Sequence, residues 1–396
     1  MNEALKIIIE NIEPLDAVET GIDSAYNKVL AEDIKSDIDI PPFNKSAMDG
    51  YAVRSSDLDT VPVALKVIDV IPAGCISTKK IQDRACIKIM TGAPVPSGAD
   101  SVIIIEDTEK IADGRVLFSK KCEPGQNVCV KGEDIRKGDI VLRKGALIRG
   151  AEIAILASVG KTEVSVIRTP SIGIVSTGNE IVEPSQPLQD GKIRNSNGPM
   201  LTALGKALGC DVEYLGIAGD EEDELGEVIR KGFQKDILLL SGGVSAGDYD
   251  LIPALLQKDH AVILFHKIRV KPGKPLLFAR KGKCRIFGIP GNPVSNFTTF
   301  QIFIKPAVLR MMGRPDYCLQ LTDAVMSVDF HNKSRRVHIV PSHCSVDKGS
   351  FYVTPFTLNG SADIIGCSDS NCLAVIEEGT GVIRKGKKVK IVLLNE

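Results

Sequence analysis

A chain of 396 residues with 43% apolar and 25% charged side chains can bury several cores, which argues against disorder. A net charge of −1, with no long basic run, leaves no electrostatic footprint for nucleic acid, so a bound anion must be held by local groups. No stretch approaches the roughly 18 uncharged apolar residues of a membrane span, which excludes a spanning helix.

The ten cysteines show no zinc-ligand spacing and read as thiols in a reducing compartment. Met1-Asn2-Glu3-Ala4-Leu5 has no basic start or apolar run of a signal peptide, so the expected location is the cytoplasm.

In chain order, Leu5, Ile8, Ile9 and Ile12 form a helical stripe over 2–12, ended by Pro14. Val18, Ile22, Ala25, Val29 and Leu30 predict further helix up to an alternating segment at 34–40, which Pro41-Pro42 stop. Short apolar runs at 61–71, 85–89, 102–105, 116–118 and 128–130, parted by Gly, Pro and Asp, predict a small mostly-β domain over 43–133. A helix at 151–158 and a strand at 162–167 follow. The economical division inserts 43–133 into an elongated linker or dimerisation domain made of 1–42 and 134–168.

Residues 169–316 alternate strands (172–176, 212–217, 237–240, 262–265, 284–287) with helices. The helices carry Leu201, Leu204 and Leu208, then Leu225, Val228, Ile229 and Phe233, then the 251–256 run. A last one carries Val294, Phe297, Phe300, Ile304 and Val308 and is kinked at Pro306. Such βα units predict a doubly wound α/β domain, a parallel sheet with helices on both faces. Residues 317–396 return to short strands and turns, a β-barrel-like domain. The fold class is thus a multidomain α/β chain with two further, mostly-β domains.

Ligands bind beyond the carboxyl ends of the strands in doubly wound sheets. Four loops fall there: Thr177-Gly178-Asn179-Glu180, Ala218-Gly219-Asp220, the 241–250 loop, and Gly288-Ile289-Pro290-Gly291-Asn292-Pro293. The 241–250 loop is the most informative. Gly242, Gly243 and Gly247 let backbone approach a ligand, and its N–H groups, with Ser245 among them, can cradle phosphate oxygens. Asp248 and Asp250 place carboxylates beside that anion, which is repulsive unless a cation lies between, so Mg²⁺ is inferred. Glu180 and Asp220 complete the acidic rim. Asp248 taken alone reads equally well as an N-cap.

If 266–271 runs extended, Lys267, Arg269 and Lys271 share one face, and the Pro272-Gly273 turn presents Lys274. These cations suit a polyphosphate or oxyanion; a solvated hairpin edge is the plainer alternative. Two Pro-stiffened segments remain, Pro41–Val53 with its lone Asp49 and 90–96 with Thr91; each taken alone is an ordinary turn. The five histidines form no helical metal pair and read as structural, and no nucleophilic triad is legible. Metal and electrostatic catalysis is the expectation.

Pro42-Phe43-Asn44-Lys45-Ser46-Ala47-Met48-Asp49-Gly50-Tyr51-Ala52-Val53, the 90–96 segment, Ser176-Thr177-Gly178-Asn179-Glu180, the 241–250 loop, 271–275 and 288–293 together resemble the molybdopterin molybdenumtransferase family, which includes the E domain of gephyrin. The likeness runs the length of the chain. It implies Mg²⁺-dependent insertion of molybdate into adenylylated molybdopterin, with hydrolysis of the adenylate and release of AMP. It also implies a four-domain homodimer whose α/β domain is related to molybdopterin adenylyltransferase, with that enzyme and recipient molybdoenzymes as further partners.

Carried over by motif, the family's acidic and hydroxyl positions fall on Asp49, Thr91, Glu180, Asp220 and Asp250, with Glu180, Asp220 and Asp250 near the metal. Its lysines fall on Lys267, Lys271 and Lys274, its prolines on Pro290 and Pro293, and a C-terminal-domain serine on Ser361. Asp49 and Thr91 would face the partner subunit's α/β rim. One departure stands out: where Val340-Pro341 align, the family often has an arginine, and the nearest here are Arg335 and Arg336. Tungstate, a tetrahedral dianion of nearly the same size, would suit the same lysines. Two other functions fit parts of the pattern, an adenylyltransferase and a partner-binding scaffold. The added domains and the Ser46–Val53 segment argue against the first; the retained carboxylates and lysines speak for activity and leave room for the second as an added role.

Overall fold

The computed structural model describes residues 1–244, 251–357 and 360–394. The chain falls into two compact units, one of 21–26 with 32–164, the other of 1–20, 27–31 and 165–396.

The second unit is organised by six strands: β1 (Ser171–Thr177), β2 (Asp211–Ala218), β3 (Ile237–Ser241), β4 (Val262–His266), β5 (Leu277–Lys281) and β6 (Cys284–Ile289). They form one sheet in the order β2-β1-β3-β6-β5-β4. Strand alternation sends Ile237 and Leu239 to one face and Leu238 and Leu240 to the other, all four fully buried. Helices α1 (Asn197–Ala207), α4 (Pro293–Thr299) and α5 (Lys305–Met311) cover the first face through Leu201, Phe297 and Val308. Helices α2 (Glu222–Gly232) and α3 (Leu251–Lys258) cover the second through Leu225, Ile229, Ile252 and Leu255. Each such side chain contributes about 1.5–3 kcal/mol on burial, so a sheet covered on both faces is a firm platform for the loops at its ends.

The doubly wound arrangement is as expected, but the sheet is mixed rather than parallel. β5 lies antiparallel between β4 and β6. A tight turn at Gly282, with φ +55, joins it to β6, and so short a connection permits a hairpin but no crossover. The strand escapes a reading by pattern because its apolar run follows directly on the Lys274-Pro275 turn.

The helix expected to continue over 18–30 does not form. Ala17–Gly21 is a strand and Ile22–Ser24 a single 3-10 turn. β-branched Val18 and Thr20 followed by Gly21 oppose helix, and Asn27 turns the chain at φ +62. The expected strand at 34–40 shortens to Ile34–Lys35. In the last helix, a π-turn at Phe300–Ile304 precedes Pro306, which has no N–H to offer the carbonyl one turn back.

Beyond 316, β7 (Thr322–Met326), β8 (Val337–Asp347), β9 (Ser350–Pro355), β10 (Cys372–Ile376) and β11 (Lys388–Leu393) close into a five-stranded barrel in the order β8-β9-β7-β11-β10 and back to β8. Closure leaves these strands without a free edge. Val340, Val353, Ala374 and Ile391 fill the interior. A two-residue strand, Val270–Lys271, pairs parallel with the start of β8.

The other unit carries its own six-stranded sheet, in the order Ser101–Ile104, Gly50–Val53, Ala85–Ile89, Val63–Ile71, Arg115–Phe118, Thr108–Ile111. Tyr51 and Phe118 meet edge to face at 6.0 Å in its core. A helix, Gly150–Ser158, follows, with Glu152 accepting from the Arg149 N–H at 2.9 Å.

Candidate functional site

The carboxyl ends of β1, β2, β3 and β6 open onto one cavity of about 1000 Å³. At the end of β1, Gly178 adopts φ +136, and a Cβ there would lie 2.5 Å from the Glu180 carboxylate. Glycine is therefore what lets Glu180 fold back toward the rim. Asn179 and Asp220 exchange hydrogen bonds: the Asn179 N–H donates to Asp220 Oδ2 and the Asp220 N–H to Asn179 Oδ1, both at 3.2 Å. That exchange ties the loops after β1 and β2 together. After β3, Gly242 stands at φ +105, where any Cβ would meet the Thr177 carbonyl oxygen at 2.5 Å. The two glycine loops thus pack backbone on backbone.

Of the residues expected at the site, Glu180, Asp220, Gly242, Gly243, Lys271, Lys274, Pro290, Pro293 and Ser361 line this cavity. Asn292 Nδ2 donates to Ser361 Oγ at 2.7 Å, and the Val294 N–H donates to the Ser361 carbonyl at 3.1 Å. The residue from the C-terminal barrel domain is thereby locked to the loop after β6. Ser245, Gly247, Asp248 and Asp250 lie outside the described residues.

Lys267 is not brought to this cavity. The extended run that would align it with Lys271 is broken, because Lys267 sits at φ +77 and the loop folds on itself. Lys267 N–H donates to the Leu276 carbonyl at 2.9 Å and Ile268 N–H to that of Lys274 at 2.8 Å. Lys267 lines a separate cavity of about 510 Å³ with Met1 and Arg269, and Arg269 is paired to Glu378 at 3.0 Å.

Asp49 and Thr91 belong to the other unit, where the two Pro-stiffened segments meet. Thr91 donates its N–H at 2.7 Å and its hydroxyl at 3.0 Å to Asp49 Oδ1. These bonds, the backbone one foremost, hold the exposed Asp49 carboxyl below its ordinary range. The Gly92 N–H donates to the Ser46 carbonyl at 2.8 Å, which fixes one segment on the other.

Pattern reading missed several lining residues. Arg194, Asn195 and Asn197 come from a short parallel strand pair, Ile181–Val182 with Ile193–Arg194, and from the start of α1. Asn195 is buried: its Oδ1 accepts from the Ser176 hydroxyl at 3.1 Å and its Nδ2 donates to the Tyr214 hydroxyl at 2.7 Å. The cluster Asn195-Ser196-Asn197 ahead of a helical stripe was the available signal. Arg336 also lines the cavity, with Nη1 donating to the Val270 carbonyl at 3.0 Å; Arg335 does not line it.

Arg194, Lys271, Lys274 and Arg336 thus face Glu180 and Asp220 across one space. Four cations against two carboxylates suit a polyanionic ligand. His338 lines an adjoining cavity of about 400 Å³ that shares Lys271 and Ser361. Burial, then the Lys271 and Arg336 charges, push its ring down to about 4, so it is neutral near pH 7. Among the described residues no three His, Cys, Asp or Glu side chains gather as a metal site.

The geometry finds its counterpart in known proteins. Residues 1–160 match the family model described as MoeA N-terminal region (domain I and II), 173–310 match probable molybdopterin binding domain, and 323–394 match MoeA C-terminal region (domain IV). A molybdopterin molybdenumtransferase of Staphylococcus aureus (strain Mu50) is 35% identical over 398 residues, covering 99% of this chain and 95% of that one. A Staphylococcus epidermidis protein of the same name is also 35% identical, with the same coverage. The crystal structure of a molybdopterin biosynthesis moea protein from Pyrococcus horikosii superposes with a TM-score of 0.84 at 32% identity, covering 100% of this chain and 98% of that one.

Proposed function

This chain belongs to the molybdopterin molybdenumtransferase family, a transferase of molybdenum cofactor biosynthesis, and we propose that it inserts molybdate or tungstate into adenylylated molybdopterin, hydrolysing the adenylate and releasing AMP. One observation carries the reading. Glu180, Asp220, the Gly242-Gly243 backbone, Lys271, Lys274 and the 290–293 loop face one cavity, where a phosphate-bearing ligand would meet both charge and backbone donors.

In this reading Lys271, Lys274 and Arg336 bind the phosphates and the incoming oxyanion, and the glycine loop after β3 lets them approach the backbone. Glu180 has no side-chain hydrogen bond among the described residues, and Asp220 Oδ2 has the Asn179 N–H as a donor. Such hard oxygen donors fit Mg²⁺, which commonly takes one or two carboxylates and fills its remaining positions with water and phosphate oxygens. Glu180 and Asp220 would hold it, with Asp250 as the proposed third. When bound, it would neutralise phosphate charge and polarise the bond to be cleaved. Asp49, fixed by Thr91, would orient the attacking water from the partner subunit of a homodimer.

The expected division into 1–42 with 134–168, 43–133, 169–316 and 317–396 belongs to the same proposal. It is supported by the separate sheet over Gly50–Phe118 and by the family boundaries near 160–173 and 310–323. Cytoplasmic location, and exchange with molybdopterin adenylyltransferase and recipient molybdoenzymes, follow from the proposed chemistry. Among the described residues no helix is long and apolar enough to cross a membrane.

The test is to incubate the protein with adenylylated molybdopterin and Mg²⁺, with molybdate and tungstate in competition. Release of AMP together with metal insertion is expected. Release of pyrophosphate from ATP and molybdopterin would instead make it an adenylyltransferase.

A further inference from the structure

In the cavity wall lies a buried polar knot that neither charge nor glycine pattern explains. Ser241, at the end of β3, accepts hydrogen bonds at its hydroxyl from Asn197 Nδ2 at 3.0 Å and from Asn296 Nδ2 at 3.1 Å. The same amide nitrogens also donate to the loop after β6. Asn197 Nδ2 reaches the Gly291 carbonyl at 2.6 Å, and Asn296 Nδ2 reaches the Pro290 carbonyl at 2.5 Å. Four segments, the end of β3, the start of α1, the 290–293 loop and α4, therefore share one anchor. Asn197 is 6% exposed and Asn296 fully buried.

The knot is not optimised for stability alone. Both side-chain oxygens, Asn197 Oδ1 and Asn296 Oδ1, are buried with no hydrogen-bond partner among the described residues. A buried carbonyl oxygen with no donor is costly, and that cost offsets part of what the four amide hydrogen bonds contribute. What the two amides do achieve is orientation. In a trans peptide the C=O and the following N–H point in opposite directions. With the Pro290 and Gly291 carbonyls drawn inward to the asparagines, the Gly291 and Asn292 N–H groups are turned outward. Neither N–H has an acceptor among the described residues, and both residues line the cavity.

We propose that Asn197 and Asn296 are positioning residues: by holding two loop carbonyls inward they aim the Gly291 and Asn292 N–H groups at the anionic end of the ligand. The inference rests on the phosphate-bearing ligand proposed above and adds the device that prepares the backbone for it. Preorganised donors bind an anion without reorienting when it arrives, which is where such a device acts.

The test uses the full chain with Asn197→Leu and Asn296→Leu, each near in size to the original and without the amide that holds the loop carbonyl. Asn197→Ser and Asn296→Ser serve where a leucine variant does not fold. AMP and inorganic pyrophosphate are titrated calorimetrically, and the Gly291 amide is followed in ¹⁵N-glycine spectra, assigned through Gly291→Ala. Wild type should shift the Gly291 amide on binding. The variants should bind at least tenfold more weakly and lose that shift, with the protein still folded at the assay temperature by its unfolding curve. Affinity within twofold of wild type in folded variants would overturn the proposal, as would weaker binding matched by lost folded protein. If pyrophosphate bound with the tenfold drop and AMP did not bind wild type at all, the adenylate reading would fall and the role of the asparagines would stand.

Discussion

The carboxylates of the two compact units are treated in opposite ways. Asp49 is held by two donors from Thr91 and kept ionised by them. Glu180 has no such donor among the described residues, and Asp220 Oδ2 receives one backbone N–H at 3.2 Å. A carboxylate with one oxygen doubly held is fixed in place and suits orienting a neighbour through the other. One left unsatisfied at a cationic rim suits taking up a ligand or a metal ion. The difference separates aiming from grasping.

The largest effects should come from the unsatisfied pair. Glu180→Gln and Asp220→Asn should lower the rate of AMP release from adenylylated molybdopterin by roughly 100- to 1000-fold while leaving the fold intact, as circular dichroism and turnover together would show. Near wild-type turnover in both would remove the grasping role. Next come the cations. Lys271→Ala and Lys274→Ala should raise KM for the adenylylated pterin about tenfold each, a charge-assisted contact apiece. Lys267→Ala should stay within about twofold, since Lys267 lines a different cavity. Equal losses at 267 and 271 would mean that the family likeness, not the geometry, is the better guide to residue 267.

Smaller effects probe the tied carboxylate and the buried ring. Thr91→Val keeps the backbone donor and removes the hydroxyl, so the Asp49 pKa should rise partway toward its ordinary value in a carbon-detected NMR titration. The sign follows from the depressed folded value. Asp49 contributes stability above its unfolded pKa and loses it as pH falls through the folded one. An unmoved Asp49 titration would show that the hydroxyl bond is idle. For His338 the folded value of about 4 lies below the ordinary 6.5. Its contribution is complete above 6.5 and is lost as pH falls toward 4. His338→Gln should flatten the slope of stability across that window in urea melts at several pH values.

Much of the α/β architecture was legible because runs such as 237–240 are apolar throughout and helices such as 222–232 show a clean 3.6-residue stripe. The strand ends then pointed to Glu180, Asp220 and Gly242 without coordinates. Legibility failed where local pattern and backbone geometry part company. The 18–30 stripe has helical spacing, yet β-branched residues, Gly21 and a left-handed Asn27 decide otherwise. Lys267 has the right spacing for a shared face, but one positive φ turns it away. Asn197 and Asn296 are far apart in sequence and bear no charge, so no spacing rule could unite them on Ser241.

The short strand Val270–Lys271 has a further consequence. It is laced to the barrel, at Val337 and His338, and not to the sheet whose loops carry Glu180 and Asp220. Its loop nonetheless springs from β4 and returns to β5, so Lys271 is held by the barrel's pairing and by the sheet's own chain at once. A change that loosens the pairing at Val337 and His338 would therefore be felt first at Lys271, on the cationic side of the cavity.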